Sequence, residues 1–375
     1  PELDGFATTF VVALALVVAV LLLFAGRLFE LLAAKWHLRS ARFLPPRVAR
    51  GVGLLLALVI FWAVIDGIAF RLALRTIDTT SRIADLVIPP DLAPPSDAAT
   101  PGSPASLIAW EDLGRWGRGY VISGPDRDDI AAFWNAAARQ PIRVYVGLTA
   151  SGSAEDRAKL AFDELMRVGG FERKYLVIAT PTGSGWLDPG AMDTLEYMTR
   201  GDVATVAIQY SYLSSPMSVI VDPENGIAES HALFDLIYRH WTALPAAERP
   251  RLYLHGLSLG AFLSQETVPL LNVFGDPFQG ALWTGSPFLS EMWRMVQDRR
   301  DPDSPAWRPK FGNGSLIRTT NQFGGLERFD ATWGPIRLVF LQYGSDPIVF
   351  FDYSLAWRRP DWLRSNRAPD LGPDM

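Results

Sequence analysis

The sequence predicts an α/β fold, a mainly parallel sheet covered by helices on both faces and preceded by two transmembrane helices. Three observations predict it: two long apolar stretches near the N-terminus, an alternation of short apolar runs with amphipathic stretches after Trp110, and the ten residues RLYLHGLSLG from Arg251 to Gly260. From Phe6 to Gly26 (FATTFVVALALVVAVLLLFAG) no charged residue occurs, and about 20 helical residues suffice to cross a hydrocarbon core of about 30 Å. A second span runs from Gly51 to Phe70 and is interrupted only by Asp66, which sits in the last third, where its carboxylate can approach the interface. A signal peptide would carry a basic leading region and a small-residue cleavage site, and the first span has neither.

Between the spans, Arg27, Lys35, Arg39, Arg42, Arg47 and Arg50 face a single acid, Glu30. By the positive-inside rule this loop is cytoplasmic and everything after Phe70 is extracytoplasmic, although Arg71, Arg75 and Arg82 weaken the asymmetry. The net charge of −5 and the lack of a basic stripe outside this region exclude a nucleic-acid partner. The sequence has no Cys, so an exported domain would not rely on disulfides. Four scattered His without Cys give no metal-ligand spacing, and no glycine-rich dinucleotide fingerprint follows a strand, so no metal or organic cofactor is expected.

The chain divides into a membrane region over 1–85, a linker over 86–109 and a catalytic domain over 110–375. The linker follows from IPPDLAPPSDAATPGSPAS, a Pro-rich composition that favours an extended, semi-rigid spacer. Beyond it, strands are expected at Ile142 to Leu148, Tyr175 to Thr180, Val203 to Gln209, Arg251 to His255, Ala281 to Thr284 and Ile336 to Gln342. Helices are expected between them. Glu155 to Val168 puts Leu160, Ala161, Leu165 and Val168 on one face, and Glu229 to Leu244 does the same with Leu233, Leu236, Ile237 and Trp241. Gly169, Gly170 and Pro245 stop these helices. Trp293 to Asn313, rich in Pro, Arg and Asp, reads as an excursion above the sheet in the position of a lid or cap.

Within RLYLHGLSLG an apolar strand turns through Gly256-Leu257-Ser258-Leu259-Gly260 into an apolar helix ending near Pro269. Gly-x-Ser-x-Gly between strand and helix is the nucleophile elbow of the α/β-hydrolase fold: the serine stands on a strained turn, and the flanking glycines let strand and helix approach. Ser258 is therefore the candidate nucleophile. The 13 Trp and the membrane spans together suggest a lipid or envelope substrate, though aromatic residues serve equally as core.

The chain also resembles a bacterial family of membrane-anchored α/β-hydrolases, in which a multi-span N-terminal region precedes a serine-hydrolase domain. The resemblance covers essentially the whole sequence. It rests on PIRVYVGL from Pro141, TPTGSGWLDPGAMDTLEYM from Thr180, QYSYL from Gln209, the elbow, and LQYGSDPIVFF from Leu341. It implies a Ser, Asp and His triad.

Counting strands back from the elbow makes the loop after Tyr175 to Thr180 the oxyanion loop, with Thr182, Gly183, Ser184 and Gly185 as candidate backbone donors beside the N–H of Leu259. The choice among the loop amides stays open. Asp346, in GSDP after a late strand, is the candidate acid, with Asp352 second. The same Asp346 could simply start a turn before Pro347. The base departs from the expected order: His37, His231, His240 and His255 all precede Ser258. His231 and His240 suit structural roles, and His255 sits on the strand in a doubtful direction. The catalytic His is expected beyond Met375, the catalytic domain being truncated here, because members of the resembled family continue past RAPDLGPDM to a His-containing segment. The expected function is that of a membrane-anchored serine hydrolase acting on an ester or lipid-like substrate, the bilayer being its other partner. An acyltransferase using the same site, and a non-catalytic module that keeps the fold, are the alternatives.

Overall fold

The computed structural model describes residues 24, 26–39, 45, 48, 51–52, 54–59, 70–89, 92–215, 217–218, 223–268, 273, 275–360, 363 and 367–371. Contacts divide the chain into two units, 1–79 and 80–375. In the first, the described stretches 26–39, 54–59 and 70–79 are helical. Among the described residues no helix is long and apolar enough to cross a membrane. The expected spans Phe6 to Gly26 and Gly51 to Phe70 lie for the most part outside the described residues, and so does Asp66.

The second unit is built on a seven-stranded, wholly parallel sheet: β1 Ile142–Val146, β2 Tyr175–Thr180, β3 Val203–Ile208, β4 Arg251–Leu257, β5 Gly280–Thr284, β6 Ile317–Thr320 and β7 Arg337–Leu341. Their spatial order is β1-β3-β2-β4-β5-β7-β6. All five residues of β1 and all six of β3 are buried, the condition in which a parallel strand reads as a nearly continuous apolar run, broken here by Arg143 and Thr205. Among the described residues the named helices are α1 Phe70–Leu86, which runs across the division between the units, and, in the second unit, α2 Gly114–Ile122, α3 Arg127–Trp134, α4 Ala154–Arg167, α5 Pro189–Met198, α6 Pro223–Ala243, α7 Leu259–Glu266 and α8 Glu291–Asp298. Helix starts follow local chemistry. Asp126 forms a capping box with Asp129 ahead of α3, Ser153 caps α4, and Asp188 caps α5 with Pro189 in its first turn.

Helices α4 and α6 pack against each other and are pinned by a buried Arg157 to Glu229 ion pair. A second buried pair, Arg143 to Glu196 at 2.6 Å, joins β1 to α5. Under β5 and β7 the core is aromatic: Trp283 and Trp293 lie 5.4 and 5.3 Å from the Phe340 ring, and their indole N–H groups reach Ser264 Oγ and the Val349 carbonyl. These tryptophans, with buried Trp110, Trp241 and Trp307, serve the core.

Three sequence readings change here. Residues 317–320 form an edge strand that the sequence did not suggest. The stretch Trp293 to Asn313, expected as an excursion above the sheet, is tied to the core by a few side chains, α8 burying Trp293 and Val296 and Trp307 joining the same core, while Asp301 to Asp303 stay exposed. The Pro-rich residues after 86 are laid against the domain, with Ser103 and Ile108 buried, Ser106 Oγ donating to Glu164 at 2.7 Å and the Leu107 N–H donating to the same carboxylate at 3.0 Å.

Candidate active site

Register places the site. Thr180 of β2 lies opposite Gly256 of β4, Leu257 of β4 opposite Thr284 of β5, and Thr284 opposite Leu341 of β7. Four strands therefore end together, and the loops that follow them gather at one carboxyl edge, where open α/β sheets place their ligands.

Ser258 stands between β4 and α7 with φ 55 and ψ −120, one of three non-glycine residues with positive φ among those described. Such a backbone is strained for a serine and persists only where its surroundings hold it. They do: its N–H donates to the Thr284 carbonyl at 2.8 Å, and its own carbonyl accepts from Ala261 and Phe262 at 2.9 and 3.2 Å. The hydroxyl caps nothing. A Cβ on Gly256 would collide with the Gly260 backbone, and one on Gly260 with the carbonyls of Thr180 and Pro181. Both glycines are needed for the strand, the helix and the start of the β2 loop to meet.

Asp346 arrives at the same place. Its Oδ2 and the Ser258 nitrogen lie 3.5 and 3.9 Å from the point a Cβ on Gly285 would occupy. Gly285, with φ +59 directly after β5, thus leaves open a small volume flanked by the acid and the elbow. Asp346 Oδ1 accepts from the Ile348 N–H at 3.0 Å, so the turn around Pro347 fixes the carboxyl group. Asp352 is instead exposed and caps Tyr353–Ala356, accepting from the Ser354 N–H at 2.8 Å; these bonds to Ser354 hold its carboxyl below the usual range.

In the loop after β2, Thr182 N–H donates to Trp186 O at 3.0 Å, Gly183 N–H to Ser215 Oγ at 3.1 Å and Gly185 N–H to Thr182 O at 2.9 Å. Among the described residues no acceptor is found for the N–H of Ser184 or of Leu259. Of the four candidate loop donors, Ser184 is the one left free to bind something else.

His255 is buried, and Nδ1 lies 3.1 Å from the Leu282 carbonyl; burial pushes the imidazole down to about 4. It is a neutral structural side chain. His240, half-buried, packs edge-on against Phe162 and Phe171. Among the described residues no group of acids and His could hold a metal ion.

The sequence reading missed the polar bracing of this edge. Gln209 and Gln342, both fully or nearly fully buried, directly follow β3 and β7. Gln342 Oε1 accepts from the Ser286 N–H at 3.0 Å, while Gln265 of α7 donates to Ser286 Oγ at 3.0 Å. The signal was present in the sequence as a lone amide closing each apolar run, VATVAIQ and LVFLQ. Among the described residues a cavity of about 440 Å³ opens at the opposite, amino edge beside Lys174, Tyr175 and Asp202, away from Ser258.

Comparison with known proteins supplies the family. The profile described as "Alpha/beta-hydrolase family" matches residues 142–375, and its companion, the N-terminus of the same family, matches 1–125. The chain belongs to the alpha/beta-hydrolase family. No curated protein matches it. Among solved structures it is similar to one described under "LipS and LipT, two metagenome-derived lipolytic enzymes", at 11% identity over 46% of this chain and 86% of that one, with a TM-score of 0.25. It is also similar to Thermogutta terrifontis esterase 2 phosphorylated by paraoxon (10% identity, 54% and 78% covered, TM-score 0.24) and to Pyrococcus horikoshii acylaminoacyl peptidase (10%, 35% and 21%, TM-score 0.21). Likeness of this degree says nothing of activity.

Proposed function

We propose that this alpha/beta-hydrolase is a serine hydrolase acting on an ester-type or lipid-like substrate, with Ser258 as nucleophile. The observation that carries the reading is the strained backbone of Ser258, held between two glycines that no larger residue could replace. In acylation Ser258 Oγ bonds to the ester carbonyl carbon and the carbonyl π electrons move to its oxygen. The N–H groups of Leu259 and Ser184 would receive that negative charge. Collapse expels the alkoxide, which leaves with the proton taken from Ser258, and water then cleaves the acyl-enzyme. Asp346 would orient the base. His255, buried with Nδ1 on the Leu282 carbonyl, does not suit that role, and a base supplied by a segment following Met375 belongs to the same proposal. Anchoring by the spans at Phe6 to Gly26 and Gly51 to Phe70, with the hydrolase domain extracytoplasmic, belongs to the same proposal.

The test is covalent labelling of the full-length protein with a fluorophosphonate probe. Wild type should label at Ser258, Ser258→Ala should abolish labelling, and Asp346→Asn should slow it by at least about 10³-fold. Labelling that survives Ser258→Ala, or a wild type that does not label, overturns the reading.

A further inference from the structure

The Ser184 amide is free because everything around it is held, and the holding is done by two side chains that take no part in the chemistry above. Gln209 has 0% exposure, and both ends of its carboxamide are used: Nε2 donates to the Ser184 carbonyl at 3.1 Å and to the Ser211 carbonyl at 3.2 Å, while Oε1 accepts from the Leu148 N–H at 3.3 Å. Tyr145, also 0% exposed, donates its hydroxyl to the next carbonyl of the loop, Gly185 O, at 2.7 Å. Gly185, with φ +96, closes the turn on the Thr182 carbonyl, and a Cβ there would press on Tyr145 Oη and the Gln209 side chain. On the other side of Ser184, the Gly183 N–H is tied to Ser215 Oγ.

A buried carboxamide is costly unless its hydrogen bonds are made, and an apolar side chain of similar size would fill the same volume without that cost. Here the donors reach the carbonyls of consecutive loop residues, Ser184 and Gly185. Fixing those carbonyls fixes the turn, and with it the direction of the Ser184 N–H, for which, alone of the four candidate loop donors, no acceptor is found among the described residues. We propose that Gln209, seconded by Tyr145, is a positioning residue that aims the Ser184 N–H at the developing oxyanion. This rests on the serine-hydrolase reading and adds to it the residues that set the oxyanion loop. A misaimed donor acts in the transition state, so its loss should appear in the rate of the chemical step and leave initial binding alone.

The experiment measures fluorophosphonate labelling of the full-length protein over a range of probe concentrations, separating the maximal labelling rate from the half-saturating concentration. Gln209→Met keeps the side-chain length and removes the donors; Tyr145→Phe keeps the ring and removes the second donor. The maximal rate should fall about 10- to 100-fold in Gln209→Met and less in Tyr145→Phe, with half-saturation within about twofold of wild type. Gln209→Leu, which removes the same donors with a shorter side chain and no added charge beside Asp85, should resemble Gln209→Met. Unchanged maximal rates in folded Gln209→Leu and Tyr145→Phe overturn the inference, and so does a loss confined to half-saturation. If Gln209→Met does not fold, Gln209→Leu and Tyr145→Phe decide alone. Failure of the underlying reading looks different, because then wild type itself does not label at Ser258.

Discussion

At the scale of single residues, His255 and Ser258 stand three positions apart and are held in opposite ways. Ser258 is strained and only half-buried at the edge, with its hydroxyl uncommitted to the helix it precedes. His255 is sunk in the sheet, and burial lowers its imidazole from the ordinary 6.5 to about 4. This has a consequence for stability. The unfolded chain takes up the proton near pH 6.5 while the folded chain refuses it until about pH 4, so the unfolded state binds more protons between those values. The contribution of His255 to stability is fully present above about pH 6.5 and is lost as acid is added through that window, by roughly 2–4 kcal/mol. Thermal unfolding followed from pH 7 to pH 4 should show this loss, and His255→Gln should remove that part of it. An acid dependence identical in wild type and His255→Gln would mean that other groups carry it. Asp85 is the acid counterpart: burial raises its carboxyl, although Oδ1 accepts from the Arg115 N–H at 3.1 Å.

Among elements, the elbow depends on how closely α7 approaches the end of β2. Gly260→Ala would put a methyl group into the carbonyls of Thr180 and Pro181, so α7 must shift or the β2 loop must move. Overpacking of this kind costs about 1–3 kcal/mol, and against backbone the upper end is expected. Calorimetry should show a Tm several degrees lower for Gly260→Ala, together with lost labelling at Ser258, whereas Gly275→Ala, with nothing within 4 Å of its Cβ position, should stay within about 0.5 kcal/mol of wild type. The reasons some elements were legible in the sequence are the same packing reasons. Strands β1, β2, β3, β4, β5 and β7 are mainly apolar because most of their residues are buried, and in β1 the single arginine, Arg143, is outnumbered by Ile142, Val144, Tyr145 and Val146. The edge strand β6 reads IRTT and hides an arginine: Arg318 is buried only because its guanidinium donates to the carbonyls of Gly314 and Leu326 and lies 4.1 Å from the Trp333 ring. No local pattern announces such long-range compensation. Helix α8 was obscured similarly, since its single apolar stripe is embedded among charges and prolines. At the site, Ser258 and the β2 loop could be found from spacing. Which loop amide is free could not, because that depends on Gln209, Tyr145 and Ser215 arriving from three other places in the chain.

For the whole molecule, the two units pose separate physical problems. Residues 80–375 carry their own core, from β1 to Leu371, and the Pro-rich segment after 86 contributes Ile108 to it. The family N-terminus match over 1–125 therefore runs from the apolar stretches into residues that belong to the hydrolase domain's own packing. A cut placed at Trp110 would remove Ile108 from the core and strip Glu164 of its bonds to Ser106 and Leu107, leaving Arg167 as its remaining side-chain partner. Fusion boundaries for a topology test are better set inside exposed loops of the domain than at its start. The sign of the charge bias makes the test decisive: six basic residues against one acid lie between Arg27 and Arg50, which the positive-inside rule keeps in the cytoplasm. A reporter active only in the cytoplasm should therefore work when inserted in the 27–50 loop and stay silent when placed after Gly152, an open position in the second unit. A reporter that exports successfully should give the reverse. Cytoplasmic activity after Gly152 would reverse the proposed orientation and, with it, restrict the substrate to esters reachable from inside the cell.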